Sequence, residues 1–460
     1  MKQPLAILIA ASATLAGCTS LRTPYVQPAV AVSPAWKSPN TSAAASADQW
    51  WKAFGDPELN QLVERVLARN NDLAQAAILL RRARLQVGLA VTNPTVGANL
   101  NASGSDALRA GRTAFDSANA GLNVGYELDL FGKLAAARDV ARWEAEATDQ
   151  DLQAARLSLI ANTVNFYYQI AYLNERVALV EQSLGYAQKT LDLVRVQRAA
   201  GSVSALEVAE AERNLATQQS TVRDLTRQRT EARNALDLLL NGETHRADVE
   251  PARLPDRSLP VVDAGLPADL LARRPDLQAS ELRLREQLAS KDQIRLSYYP
   301  SISLTGSLGS SSTALTNVLS NPVGTLGAGL TLPFLQAGQM KLRNGVSRAD
   351  YDRAVIGFRQ TLYQAFAEVE NALSARDQYG LQAADLAASL ENARTAERLY
   401  EVRYRAGSTS LKTWLDAQEN RRQAETALAQ NRLNRLNTQV SLYKAVGGDS
   451  TLRASPFPAG

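Results

Sequence analysis

The chain is poor in the residues that do chemistry. Across 460 residues there is one cysteine, Cys18, and one histidine, His245. A single cysteine excludes an intrachain disulfide, and no histidine pair exists to bind zinc. Aromatic residues make up only 6% of the chain, while apolar residues reach 45% with alanine spread throughout. Small side chains at that density suit closely packed helices better than a bulky globular core. An excess of one charge is missing too: 50 Lys and Arg face 46 Asp and Glu, leaving a net charge of +4. The charges are scattered, so no face reads as a nucleic-acid or phosphate-binding surface. No segment after the first residues offers the ~20 uninterrupted apolar residues of a membrane-spanning helix. A bilayer crossing by this chain would therefore have to use β-strands.

Catalytic motifs are also lacking. There is no G-x-S-x-G nucleophile elbow. Gly132-Lys133 is followed by Leu134, so it ends no phosphate-binding loop, and Gly327-Ala328-Gly329 lacks the third glycine of a dinucleotide loop. Glu127 and Asp129 have the spacing of paired carboxylates but fall on one face of a predicted strand. The expectation is a protein that is not an enzyme and needs no cofactor or metal. Without a nucleotide site, anything it moves must be driven by a partner or by a gradient.

What is present begins at the N-terminus. Met1-Lys2, an apolar run from Leu5 to Ala16 and then Gly17 form a secretory signal peptide over residues 1–17. Leu15-Ala16-Gly17-Cys18 resembles a bacterial lipobox, which implies cleavage before Cys18 and acylation there. Each buried acyl methylene contributes about 0.8 kcal/mol of membrane affinity. Thr19, where an Asp would retain such a lipoprotein in the inner membrane, favours the outer membrane. The alternative is an ordinary signal peptide with a chance cysteine. Residues 18–49, with Thr23-Pro24, Gln27-Pro28, Ser33-Pro34 and Ser38-Pro39, read as an extended tether.

The remainder is an internal duplication. Pro94 and Pro300, Ser202 and Ser408, and Gly242 and Gly448 close similar segments, and each pair is 206 residues apart. The repeats occupy residues 50–250 and 268–448, joined by the Pro-rich stretch 251–267 and followed by a tail, 449–460. Each reads helix, strand, loop, strand, long helix, tight turn, long helix.

Four segments alternate with period two: Val96 to Ser103, Ala120 to Leu130, Ile302 to Leu308 and Thr325 to Phe334. Such segments fit an outer-membrane barrel with a wet lumen, and the same pattern suits a half-exposed soluble sheet. The helices carry a coiled-coil seam. Ile170, Leu173, Val177, Val180, Leu184, Ala187, Leu191 and Val194 alternate steps of three and four. After Gly201 the seam resumes through Val208, Ala211 and Leu215, and the second repeat gives a rougher version ending at Tyr400 and Tyr404. The first long helix is predicted from about Gly132 to Arg198, roughly 100 Å at 1.5 Å per residue, so it projects as a hairpin. Four strands cannot close a barrel, whose smallest membrane form has eight, and open edges cannot face lipid. The chain therefore supplies one segment of a barrel shared by a homo-oligomer.

Five segments carry a family resemblance. They are Trp50-Trp51-Lys52 with Phe54-Gly55-Asp56-Pro57-Glu58-Leu59, Tyr126 to Lys133, Leu266 to Asp276, Tyr299-Pro300-Ser301-Ile302-Ser303-Leu304, and Leu415-Asp416-Ala417-Gln418. They resemble the TolC-like outer-membrane efflux factors, in the OprM-like lipoprotein branch. The resemblance implies a homotrimer, mainly α with membrane β: a 12-stranded β-barrel continuous with a long periplasmic α-helical barrel. It implies a periplasmic adaptor meeting the tip turns at Gly201, Ser202, Gly407 and Ser408, and an inner-membrane pump of the resistance-nodulation-division type. The function implied is a passive duct for drugs or other small toxic solutes; the exit channel of a type I protein-secretion system is the alternative. A purely structural periplasmic coiled-coil lipoprotein is a third reading, against which the four alternating segments speak. Glycine allows the left-handed backbone that ends a helix, and the serine after it can cap the next. Asp416 matches the inward gate carboxylate of the family, and Lys412, one turn earlier, can bridge it. Glu419 departs from the arginine that OprM-like chains place three residues after this Asp, and the next cations are Arg421 and Arg422. A solvated helix carboxylate is the plain alternative for Asp416.

Overall fold

The computed structural model describes residues 21–38, 49–105, 115–244, 249–260, 262–312, 320 and 322–448. Its elements, in order, are a 3-10 turn Trp50–Phe54, α1 (Pro57–Arg69), α2 (Asn71–Val91), β1 (Thr95–Ser105), β2 (Phe115–Leu128), α3 (Lys133–Ala199) and α4 (Ala205–Leu239). There follow the turn Leu270–Arg273, α5 (Pro275–Leu296), β3 (Ser301–Ser312), β4 (Val323–Thr331), α6 (Ala337–Arg405) and α7 (Leu411–Ala445). The 67 residues of α3 and 69 of α6 come from Ala-, Leu-, Glu- and Arg-rich sequence without an internal proline. The chain separates into two compact units. One takes its described residues from 1–30, 78–149 and 279–360, and the other from 31–77, 150–278 and 361–460.

The first unit carries the sheet. All three pairings are antiparallel, in the order β1-β2-β3-β4. The strand limits differ from expectation at two ends. Leu332 and Phe334 lie outside β4, because Pro333 has no N–H for the ladder and instead starts a 3-10 turn. Leu130 lies beyond β2. Asp129 has left the strand as well: its carboxylate accepts from Leu134 N (2.9 Å) and Ala135 N (2.7 Å), orphan donors in the first turn of α3. It is thus a helix cap and not one of a carboxylate pair. Phe131 packs on Tyr299 at 5.1 Å between ring centres, joining the two strand-to-helix corners.

The proline-rich N-terminal segment is extended as expected, yet it is docked. Asp292, buried on α5, accepts from Thr23 N (2.5 Å) and Thr23 Oγ1 (2.8 Å), and Arg22 pairs with Asp139 at 2.5 Å. Tyr25 lies 4.7 Å from the Arg285 guanidinium. Burial, then the Glu281 charge, pushes the Tyr25 phenol up to about 12.

The second unit has an aromatic centre. Trp50 and Trp51 are 2% and 1% exposed, and Trp50 stacks on Tyr443 at 4.8 Å. Asp56 caps α1 through Glu58 N and Leu59 N and also accepts from Tyr167 Oη at 2.8 Å. Burial, reinforced by Asp56, raises the Tyr167 phenol far above its ordinary range. Arg274 is buried with Asp276 (2.7 Å), Glu368 (2.8 Å) and the Ala445 carbonyl (3.0 Å), which explains the Arg273-Arg274-Pro275-Asp276 segment as a structural tie. The joint is pinned by Glu175, which accepts from Leu254 N at 3.1 Å and pairs with Arg432 at 2.6 Å. Residues 36–38 dock here: Trp36 Nε1 donates to the Gly265 carbonyl (2.9 Å), and Ser38 N and Oγ each reach Glu370 at 2.7 Å.

Candidate functional site

Two regions have functional geometry, the wall formed by the strands and the turns at the hairpin ends. The register puts the apolar strand positions on one face, apart from Phe115 and Val323 at the strand ends away from the helices. Val96 lies beside Val124, then Gly306 and Leu326; Ala98 lies beside Leu122, then Leu308. Leu326 is 92% exposed and Val96 74%. A contiguous apolar face of this kind is costly in water, at about 25 cal/mol per Å², and is at home against hydrocarbon. Strands of 11, 14, 12 and 9 residues match the ~9–11 needed for a tilted crossing. The opposite face is polar: Thr95, Asn99 and Asn101 on β1, Asn119, Asn123 and Glu127 on β2, Ser303, Thr305 and Ser307 on β3, and Thr325 on β4. Among the described residues no helix is long and apolar enough to cross a membrane.

At the hairpin ends, Gly201 (φ 73°) and Gly407 (φ 70°) adopt the left-handed conformation, which lacks a steric cost only for glycine. Ser202 and Ser408 are placed differently from expectation. Their hydroxyls donate backward, to the Gln197 carbonyl (2.9 Å) and the Arg403 carbonyl (3.0 Å). They close the helix that ends. The next helix is capped two residues later: Ser204 accepts from Leu206 N and forms a capping box with Glu207, and Ser410 accepts from Thr413 N.

A mixed cluster joins the two hairpin ends. Leu191, Val194, Ala211, Leu411 and Leu415 surround Tyr404 and Trp414, whose rings stack at 5.2 Å and 25°. The Tyr404 hydroxyl donates to Gln197 Oε1 at 2.8 Å. Tyr404 is thus more than the seam residue its spacing predicts: it links the two hairpins. The available signal was an aromatic three residues before the turn glycine.

Asp416 and Lys412 do meet, at 2.9 Å, with both side chains more than half exposed. An exposed i, i+4 pair stabilises by only about 0.3–0.5 kcal/mol, so closure at this level would need further copies of the chain. Asp416 also borders a crevice shared by Asn392, Tyr400 and Asn420. The nearby cations are engaged within the chain. Arg422 binds Glu419 (2.7 Å), and Arg421 binds Glu425 (2.6 Å) and, more tightly, Glu397. Burial alone would raise Glu419, but the Arg422 hydrogen bonds hold it below the ordinary carboxylate range. Cys18 and His245 lie outside the described residues.

With this geometry in view, the sequence comparison defines the class. A profile of the outer membrane efflux protein family matches residues 62–242 and 266–448, and the chain belongs to that family. It is a TolC-like channel subunit of the outer membrane, with a long periplasmic helical extension. Three copies form the duct, which works with a periplasmic adaptor and an inner-membrane pump. Among individual proteins, it is 34% identical to the pyoverdine export outer membrane protein OpmQ of Pseudomonas putida, covering 96% of each chain. It is 33% identical to the probable efflux pump outer membrane protein TtgC of the same species, covering 97% of this chain and 96% of TtgC. The Campylobacter jejuni CmeC outer membrane channel superposes with a TM-score of 0.84 at 26% identity, over 94% of this chain and 95% of CmeC.

Proposed function

We propose that this efflux subunit carries drugs or other small toxic solutes, and that it is a passive duct with no catalytic activity of its own. OpmQ is named for pyoverdine export, which widens the candidate cargo to small secreted metabolites. The driving partner in this reading is a resistance-nodulation-division pump. The observation that carries the reading is the open-edged sheet with one apolar and one hydroxyl- and amide-lined face. A wall of that kind guides solutes and offers no group positioned for bond making.

Three residue assignments belong to the same proposal. A lipid on Cys18 holds the N-terminus at the membrane. The Gly201-Ser202 and Gly407-Ser408 turns meet the adaptor. Asp416, steadied by Lys412, contributes one carboxylate from each of three copies to a ring that narrows the periplasmic end. The test is a deletion strain complemented with wild type or Asp416→Ala. Wild type should lower intracellular drug accumulation, and purified Asp416→Ala trimers should show raised single-channel conductance. Unchanged drug accumulation on deletion, with loss of a secreted protein instead, would favour the type I secretion reading. Unchanged conductance would remove Asp416 from the gate.

A further inference from the structure

On the proposed function the polar face of the sheet lines the solute's path, and its described positions carry a single ionisable residue. That residue is Glu127, at the helix end of β2, and it is ion-paired with Lys133 in the first turn of α3. Every other polar side chain on that face is an amide or a hydroxyl.

Several of these side chains lie flat against the neighbouring strand. Thr95 Oγ1 sits 2.7 Å from where a Cβ on Gly125 would stand, and Thr305 Oγ1 sits 2.9 Å from the same point on Gly327. Each hydroxyl points at the carbonyl of the glycine it covers, at 3.4 Å. Ser303 Oγ sits 2.8 Å from the corresponding point on Gly329. Asn99 covers Gly121 and accepts from Asn123 Nδ2 at 3.0 Å. A polar group that satisfies itself against the neighbouring strand neither projects into the passage nor offers a directed bond to a passing solute.

We propose that the strand section of this duct is built to be indifferent to the sign of a solute's charge, and that the Glu127–Lys133 pair maintains that indifference at its periplasmic end. Three copies of one bare charge about 10 Å from a monovalent solute would bias its local concentration by roughly tenfold at low salt. With the pair intact that bias is absent, so any discrimination by charge falls to the helical section.

The chain's single natural cysteine lies outside the strands, which permits a direct test. Asn119→Cys and Ser303→Cys place a thiol near each end of the wall. Trimers of each variant are treated at low ionic strength with two methanethiosulfonates of similar size, one bearing a trimethylammonium group and one a sulfonate. The parent protein without an added cysteine supplies the baseline. The ratio of the two rates should match that of a free thiol within about threefold at both depths. Adding Glu127→Gln should shift the Ser303→Cys ratio about tenfold toward the anionic reagent and leave Asn119→Cys unmoved. A tenfold preference before that change, or no shift after it, overturns the proposal while leaving the channel intact. Failure of both reagents at both depths would instead show that this face does not line the passage, and the proposal would fall with that assignment.

Discussion

The Tyr404 hydroxyl, near the end of α6, donates to the side-chain carbonyl of Gln197, near the end of α3, at 2.8 Å. The second hairpin is thereby fastened to the first, a turn away from both tip glycines. The stack of Tyr404 on Trp414 braces the donor from behind.

Removing the hydroxyl alone separates bond from stack. Tyr404→Phe should weaken the link by about 1 kcal/mol, close to fivefold in the balance between fastened and released hairpins. Single-channel recording should show open probability rising by that order. Trp414→Ala removes a buried aromatic and should cost about 3–5 kcal/mol, with a larger rise. Equal behaviour of both variants and wild type would show that the link does not restrain opening.

Asp292 is the clip for the N-terminal segment. Its side chain is 3% exposed and serves Thr23 twice and Arg295 at 2.9 Å. Asp292→Ala should cost about 2–3 kcal/mol of local stability, since bonds to a charged acceptor are worth about 1.5–3 kcal/mol. Limited trypsin digestion at Arg22 should accelerate, with the trimer itself retained.

The second clip, Glu370, gives a pH dependence. Burial would raise this carboxyl, but the bonds from Ser38 and from the Lys37 and Ser38 N–H groups overcome that and hold it below the ordinary glutamate range. A carboxylate depressed by folding contributes stability above its unfolded pKa and loses it as the pH falls through its folded one. Protection of the Lys37 peptide bond should therefore be complete at neutral pH and disappear in acid, below the usual glutamate range. Glu370→Gln should show the weakened protection already at neutral pH.

Arg274 tests the structural tie. Its guanidinium is 8% exposed, while Asp276 and Glu368 are 41% and 43% exposed. Those acids can rehydrate once the arginine is gone, so Arg274→Ala should fall at the low end of the range for breaking a buried pair, about 3 kcal/mol. The denaturation midpoint of the purified trimer should drop accordingly. Arg274→Lys should recover only part of it, because an ammonium cannot present a planar fork to two carboxylates and a carbonyl.

Much of the architecture was legible because it is periodic. Alternation located four strands, and the helix predicted from about Gly132 to Arg198, with its three-four seam from Ile170 to Val194, is α3, Lys133–Ala199. Features that depend on one side chain reaching another element were not legible. The cap on α4 is written in Ser204-Ala205-Leu206-Glu207, the spacing of a capping box, whereas no pattern announces that Asp129 turns out of its strand to cap α3. The docking of residues 21–38 was hidden for the same reason, because its partners, Asp292 and Glu370, are remote in sequence and look like ordinary helix-surface acids. Lys412 and Asp416 were found because they are neighbours on one helix. Tyr404 and Gln197 were missed because they are not.

The free margins of β1 and β4 make construction of the channel a collective act. No copy can finish its own wall, so conversion to the membrane form should rise steeply with the supply of chains. A copy unable to offer one margin spoils every assembly it enters. With equal amounts of sound and defective subunits, only about one trimer in eight would be intact, and a damaged gene would act as a dominant inhibitor of the healthy one.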